Sequence, residues 1–267
     1  MAITSAAGLL AAWEAGLAEA PVGRALLLHR TARPDVDTGR LPQLPVGERE
    51  ADLFALRRSL FGERMQVRLA CSACGEDMEF ELDAGELARS LGGQEGSRGA
   101  ADGPGGSPTG SGEVAASGLG RSVVRVQQDG WDVVFRVPGV LDLAVAGRAA
   151  DPRGALLARC LVSAAHDGAA VSATDLPVTV QRRIAEAVEA ADPGADLALN
   201  VACPECGAAT RAELDIASYL WTELDAWARD VLLDVHLLAT AYGWSEPEIL
   251  ALSPLRRRYY LELCADV

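Results

Sequence analysis

LACSACGEDMEFELD, residues 69–83, and VACPECGAATRAELD, residues 201–215, are two versions of one device. Aligned at an offset of 132, they share an alanine, two cysteines spaced Cys-x-x-Cys, the glycine that follows, and a closing Glu-Leu-Asp. A glycine directly after the second cysteine permits the tight backbone turn of a metal knuckle. The residues after Gly75 alternate apolar and polar through Met78, Phe80 and Leu82, so each copy reads as a knuckle leading into a short strand.

Two such knuckles supply Cys71, Cys74, Cys203 and Cys206, the ligand set of a tetrahedral structural zinc ion with no open coordination position. The interval is long, with 128 residues between Cys74 and Cys203. Closing a loop of that size costs about 4 kcal/mol, against a contribution on the order of 10 kcal/mol from a structural zinc. A single shared Zn2+ site is therefore the expectation. The pattern also admits two unmetallated knuckles in contact, a site now lost, or one pair from each of two chains bridging a dimer. A redox role fits less well, because redox Cys-x-x-Cys pairs sit at helix N-termini and these lead into strands. Cys160 and Cys264 lie on apolar helical faces and read as inert buried thiols.

Working outward, Leu9, Leu10, Trp13 and Leu17 recur at helical spacing, and a second helix follows Pro21. Leu53, Leu56 and Leu60 mark a third, ending near Gly62. Residues 91–120 hold eleven of the 27 glycines and little that could build a core, which predicts a disordered Gly/Ser-rich linker. SVVRVQQDGWDVVFRVP then places two β-rich runs around Asp129-Gly130, with Trp131, Val133, Phe135 and Val137 on one face. GVLDLAVAG is ambiguous between strand and helix, and helix is the preferred reading. Helices are expected through Leu156, Leu157, Cys160 and Leu161, and through Val180, Ile184 and Val188.

Beyond the second knuckle, Ile216, Leu220, Leu224, Trp227, Val231, Val235 and Leu238 form a long apolar helical stripe. Ser245 and Glu248 make a capping box, and Ser253-Pro254 opens a last helix. The fold expected is mainly α with a small β zinc-ribbon-like element, in one discontinuous domain interrupted by the linker. Its parts are an N-terminal helical part with the first knuckle (1–90), the linker (91–120), a β-hairpin with helices (121–200), and the second knuckle with the C-terminal helices (201–267).

Composition narrows the function. With 38 acidic and 24 basic residues, a net charge of −14 repels a phosphate backbone, which argues against nucleic acid. Arg256, Arg257 and Arg258 could mimic the basic end of a recognition helix, so a zinc-ribbon DNA-binding regulator is kept as a second alternative. The first twenty residues lack a positive start and contain Trp13 and Glu14, unlike an export signal, and no apolar run is long enough to span a membrane. A cytoplasmic protein is expected. His29, His166 and His236 are scattered, and neither a Ser/His/Asp arrangement nor a phosphate-cradling loop occurs, so no enzyme is expected.

ALLLHRTARPDVDTGRLPQLPVGEREADLFALRRSLFG, the two knuckles, AADPGADLALNVACPECG and LWTELDAWARDVLLDVHLLATAYGWSEPEILALSPLRRRYYLEL together resemble the bacterial relatives of the T4-type phage baseplate proteins, often described as baseplate hub assembly chaperones. The most specific part is VHLLATAYGWSEPEILALSPLRRRYYLEL. The resemblance implies an assembly protein for the baseplate or central hub of a contractile injection system, with baseplate or hub proteins as partners. The alternative is a permanent structural subunit of the baseplate. Trp221, Trp227, Trp244, Tyr259 and Tyr260 on the C-terminal helices are the candidate partner surface. Partner identity, stoichiometry and oligomeric state are not encoded in these patterns.

Overall fold

The computed structural model describes residues 5–87, 113–116 and 122–265. Its helices are α1 (Ala6–Leu17), α2 (Pro21–Ala32), α3 (Val46–Phe61), α4 (Val140–Ala146), α5 (Pro152–Cys160), α6 (Val178–Ala191), α7 (Ile216–Tyr242), α8 (Glu246–Leu250) and α9 (Pro254–Ala265). Its strands are β1 (Arg64–Ala70), β2 (Asp77–Asp83), β3 (Glu113–Ala116), β4 (Ser122–Gln128), β5 (Trp131–Arg136), β6 (Leu161–His166), β7 (Ala169–Ala170), β8 (Ala198–Ala202) and β9 (Ala209–Glu213). The described residues are thus mainly helical, with three small antiparallel sheets among them.

Where the sequence leads to one discontinuous domain, the chain divides into two compact units, Met1–Pro34 with Asp215–Val267, and Asp35–Leu214. The physical reason lies in the segments themselves: the two ends of the chain are amphipathic helices that pack on each other, while the residues between them carry a sheet-based core of their own.

In the first unit α7 packs against α1, α2, α8 and α9. Its expected stripe holds, with Ile216, Leu220, Leu224, Val231 and Leu238 at 2% exposure or less, while Trp227 and Val235 are half-buried. Trp221 is buried instead, under the Arg24 guanidinium, 4.8 Å from the ring centroid. The indole N–H of Trp13 donates to Asp225 at 2.8 Å. Close approach of α1 to α7 requires Gly16, since a Cβ there would fall 2.3 Å from the Trp221 ring. Leu17, placed on the apolar stripe of α1 by spacing, is 47% exposed, because the stripe's last member overhangs the helix end. Both C-terminal signals are realised: the Glu248 carboxylate accepts from the Ser245 backbone N–H at 2.8 Å, and the Ser253 hydroxyl accepts from the Arg256 N–H at 3.3 Å.

In the second unit the five-stranded sheet runs in sequence order, β3-β4-β5-β6-β7, all antiparallel. Asp129 and Gly130 take positive φ, 49° and 79°, as a two-residue hairpin turn between right-twisted strands demands. Asp167 and Gly168 do the same between β6 and β7, and the Asp167 N–H donates to the Gly130 carbonyl at 2.9 Å, joining the two turns. Val124, Val133, Phe135 and Val137 meet Leu157, Cys160, Val180 and Ile184 in one buried cluster, with Trp131 half-buried at its edge. GVLDLAVAG forms α4, as preferred.

Two expectations are corrected. Leu161, placed on a helix with Leu157 and Cys160, ends that helix and opens β6, because its neighbour Phe135 on β5 offers a strand edge that an isolated reading cannot see. Of the linker expected at 91–120, Glu113–Ala116 pairs with β4 as strand β3; the remainder lies outside the described residues.

At the N-terminus of α3, Asp192 accepts from the Gly47 N–H at 3.0 Å, and Gly194 lies against Gly47, where a Cβ on Gly194 would sit 3.2 Å from the Gly47 Cα. Burial of Asp192 raises its carboxyl above the usual range despite the backbone N–H donors of Gly47 and Val46. At the other end of α3, the buried Arg57 guanidinium donates to the carbonyls of Gly62 at 2.7 Å and Arg64 at 2.5 Å, fixing the turn into β1.

Candidate metal centre

Each knuckle is the tip of a hairpin. β1 and β2 pair so that Met65 faces Leu82, Val67 faces Phe80 and Leu69 faces Met78, one apolar ladder on one side. The other side carries polar and charged pairs, with Arg68 2.7 Å from Glu79 and the Gln66 amide donating to Glu81 at 3.0 Å. β8 and β9 repeat the arrangement with Leu199 opposite Ala212 and Val201 opposite Thr210. The turns match bond for bond. The Gly75 N–H donates to the Cys71 carbonyl and the Gly207 N–H to the Cys203 carbonyl, both at 2.9 Å. Gly75 and Gly207 stand at φ of 77° and 73°, the left-handed region in which glycine is unstrained.

The two tips meet. Cys71, Cys74, Cys203 and Cys206 place their sulfur atoms within 4.8 Å of one another. The first cysteine of each knuckle faces the second of the other, Cys71 to Cys206 and Cys74 to Cys203, both at 3.7 Å. That separation is far beyond a disulfide bond, about 2 Å. A tetrahedron of four sulfurs, each about 2.3 Å from a zinc ion, has edges of about 3.8 Å. Two of the six sulfur–sulfur edges match that figure and all lie within 4.8 Å, so the four thiols could hold a tetrahedral metal ion. Cys71 and Cys203 are buried, Cys74 and Cys206 exposed, and Met78 packs behind them with Leu69, Val201 and Ala208.

Backbone N–H groups of Cys74 and Ala73, aided by the Thr210 hydroxyl and opposed by burial, lower the Cys71 thiol to about 6. The Ala73 N–H lies 3.4 Å from the Cys71 sulfur and the Thr210 hydroxyl donates to it at 3.8 Å. At Cys74 the Glu76 N–H also acts to lower the thiol, but the crowding thiols of Cys206 and Cys71, together with burial, push it up to about 12. Cys74 thus keeps its proton beside Cys71, and a cation bound between them would be needed for both to ionise.

All four cysteines named from the sequence are thus brought together. What the sequence reading passed over is the half of each hairpin that precedes its cysteines. The alternation of Met65, Val67 and Leu69 was a usable signal for β1; ALNVA is too short and small-sided to announce β8. The Thr210 hydroxyl, buried at 6% exposure, carried no sequence signal. Burial pushes the Cys160 thiol up to about 11, and Cys264 is half-buried. His166 stacks on Trp131 with ring centroids 4.5 Å apart, and His29 is buried. Of the basic row on α9, Arg257 is buried against Asp234 at 2.9 Å and Arg258 pairs with Glu262 at 3.0 Å. The expected partner aromatics divide: Trp221 is buried, Trp227 half-buried, and Trp244 and Tyr260 pack with Tyr242, leaving Tyr259 at 60% exposure.

Among the described residues no helix is long and apolar enough to cross a membrane. A family model described as T4 bacteriophage base plate protein matches residues 27–220. No curated protein and no solved structure matches the chain significantly.

Proposed function

Because the chain belongs to the T4 bacteriophage base plate protein family, we propose that it is a non-enzymatic assembly protein for the baseplate or central hub of a phage tail-like contractile injection system, acting in the cytoplasm. The observation that carries this reading is the family match over residues 27–220, which includes all four clustered cysteines. Cys71, Cys74, Cys203 and Cys206 would hold a structural zinc ion, whose chemistry is to lock two hairpin tips together. Four thiolates leave no position for a substrate or an activated water, so the site is a clamp. The partners are baseplate or hub proteins, and a charge of −14 disfavours nucleic acid. A permanent baseplate subunit is the second reading, favoured by the same family match.

Quantitative mass spectrometry of purified, assembled particles against their source lysate separates the two. A chain abundant in the lysate and missing from the particles is an assembly factor. A fixed integer ratio to the baseplate proteins makes it a subunit. Intact, normally abundant particles from cells lacking the chain would overturn both.

A further inference from the structure

The four clustered thiols are not equivalent. Cys71 and Cys203 are 3% and 2% exposed, while Cys74 and Cys206 lie open to solvent. Because the first cysteine of each knuckle faces the second of the other, both 3.7 Å pairs join a buried thiol to an exposed one. An oxidant arriving from solvent meets Cys74 or Cys206 first, and a sulfur 3.7 Å behind it belongs to the opposite hairpin.

The backbone favours a bond across the tips over one inside a knuckle. The Cys71 N–H donates to the Glu76 carbonyl at 2.8 Å and the Gly75 N–H to the Cys71 carbonyl at 2.9 Å; Cys203, Ala208 and Gly207 repeat the pattern at 2.9 Å. Joining the two cysteines of one knuckle closes a small ring within that hydrogen-bonded turn. The two hairpins, by contrast, approach as separate bodies, and the crossed sulfurs need only close from 3.7 Å to about 2 Å. The Ser72 N–H donates to the buried Thr210 hydroxyl at 3.3 Å, a contact between the tips that keeps the crossed pairs in register.

We propose that this cluster is also a site of reversible thiol oxidation, in which hydrogen peroxide forms two crossed disulfides, Cys71–Cys206 and Cys74–Cys203, that keep the tips joined in place of the metal. The exposed thiolate attacks peroxide; one oxygen passes to sulfur, the O–O bond breaks and hydroxide leaves, giving a sulfenic acid. The buried thiolate then attacks that sulfur, the S–S bond forms, the S–O bond breaks and a second hydroxide leaves. Each disulfide thus consumes one peroxide and gives it two electrons. Four thiolates become two disulfides, and a zinc ion that has lost its anionic ligands departs. In reducing surroundings the thiol form returns. The inference rests on the proposed zinc only for the ion that oxidation displaces.

The test titrates the full chain with hydrogen peroxide, blocks free thiols, digests with trypsin without reductant, and maps disulfides by mass spectrometry. Cys71 and Cys74 share the tryptic peptide 69–89, and Cys203 and Cys206 share 184–211. The expected product is these two peptides linked to each other within one chain, reversed by dithiothreitol. Hydrogen exchange of β1, β2, β8 and β9 should stay within about threefold of the untreated chain. Cys74→Ser combined with Cys203→Ser, which keeps the Cys71 and Cys206 pair, should form its disulfide at least about tenfold faster than Cys203→Ser combined with Cys206→Ser, which keeps one knuckle. The proposal is overturned by two unlinked peptides each holding an internal disulfide, by disulfides between chains, by sulfinic acid without disulfide, by thiols that excess peroxide leaves reduced, or by loss of protection on oxidation. Crossed disulfides in a chain that never held zinc would leave this proposal standing and the metal reading fallen. A zinc-loaded chain that oxidises within its knuckles gives the reverse.

Discussion

Removing the proposed zinc ion should loosen the two hairpin tips and leave the five-stranded sheet in place. Without an ion, the tips are held by Cys71, Met78 and Cys203, all buried, and by half-buried Leu69, Val201 and Ala208. At about 1.5–3 kcal/mol for a fully buried aliphatic side chain, that contact is worth on the order of 5 kcal/mol. Holding together the ends of the 128-residue segment between Cys74 and Cys203 costs at most the flexible-chain figure of about 4 kcal/mol, because the sheet inside it stays folded. The apo contact is thus worth a few kcal/mol, whereas a bound zinc ion would add on the order of 10 kcal/mol. Hydrogen exchange of the full chain, zinc-loaded against chelator-treated under reducing conditions, reads this directly. Amides of β1, β2, β8 and β9 should lose protection by at least about a hundredfold. Amides of β4 and β5, whose Val124, Val133 and Phe135 are at most 3% exposed, should keep theirs. Equal protection in both samples, or a uniform loss across the unit, would refute the reasoning.

Other sites give sharper local tests. Arg57→Met should lower stability to urea by about 3 kcal/mol, because it strands the carbonyls of Gly62 and Arg64 that the guanidinium now satisfies. Asp142→Asn should cost about 3 kcal/mol at neutral pH by leaving two guanidiniums short of a counter-charge. Burial opposes ionisation of Asp142, but hydrogen bonds from Arg136, the Gly139 N–H and Arg159 outweigh it and hold the carboxyl below its usual range. A depressed folded-state value stabilises above the ordinary carboxylate range and is lost as pH falls through it. The gap between wild type and Asp142→Asn should therefore close below about pH 4 in urea titrations run as a pH series. Gly16→Ala should destabilise by about 1–3 kcal/mol despite alanine's helix preference, since its Cβ meets the Trp221 ring; a blunted thermal transition followed by tryptophan fluorescence checks it.

The parts of the fold legible from sequence are those whose signal is local. Gly62, at φ 84°, ends α3 in a positive-φ conformation that glycine adopts without strain, and Asp129-Gly130 announces its hairpin by a similar local signal. Asp167-Gly168 carried that hairpin signal too, but Leu161–His166 and Ala169–Ala170 hold four alanines in eight residues and one β-branched side chain, Val162, too weak a pattern to mark strands. β6 takes strand form by pairing with β5, a contact between residues some thirty positions apart, and β7 by folding back on β6. The four-cysteine cluster was legible because its cysteines repeat. The order in which the cysteines face one another, first to second across the knuckles, follows from the packing of two hairpins and is written in no single copy. The inward-facing Asp142 of α4 was equally hidden, since a lone aspartate in an apolar helix reads as its solvent face until Arg136 and Arg159 are seen around it.

The most direct test of the account is the metal itself. Elemental analysis and X-ray absorption of the purified full chain should find one zinc ion per chain with four sulfur neighbours at about 2.3 Å. Cys71→Ser combined with Cys203→Ser should abolish it. A chain without metal, half an ion per chain, or a first shell containing nitrogen or oxygen would contradict a closed centre built from the two distant repeats.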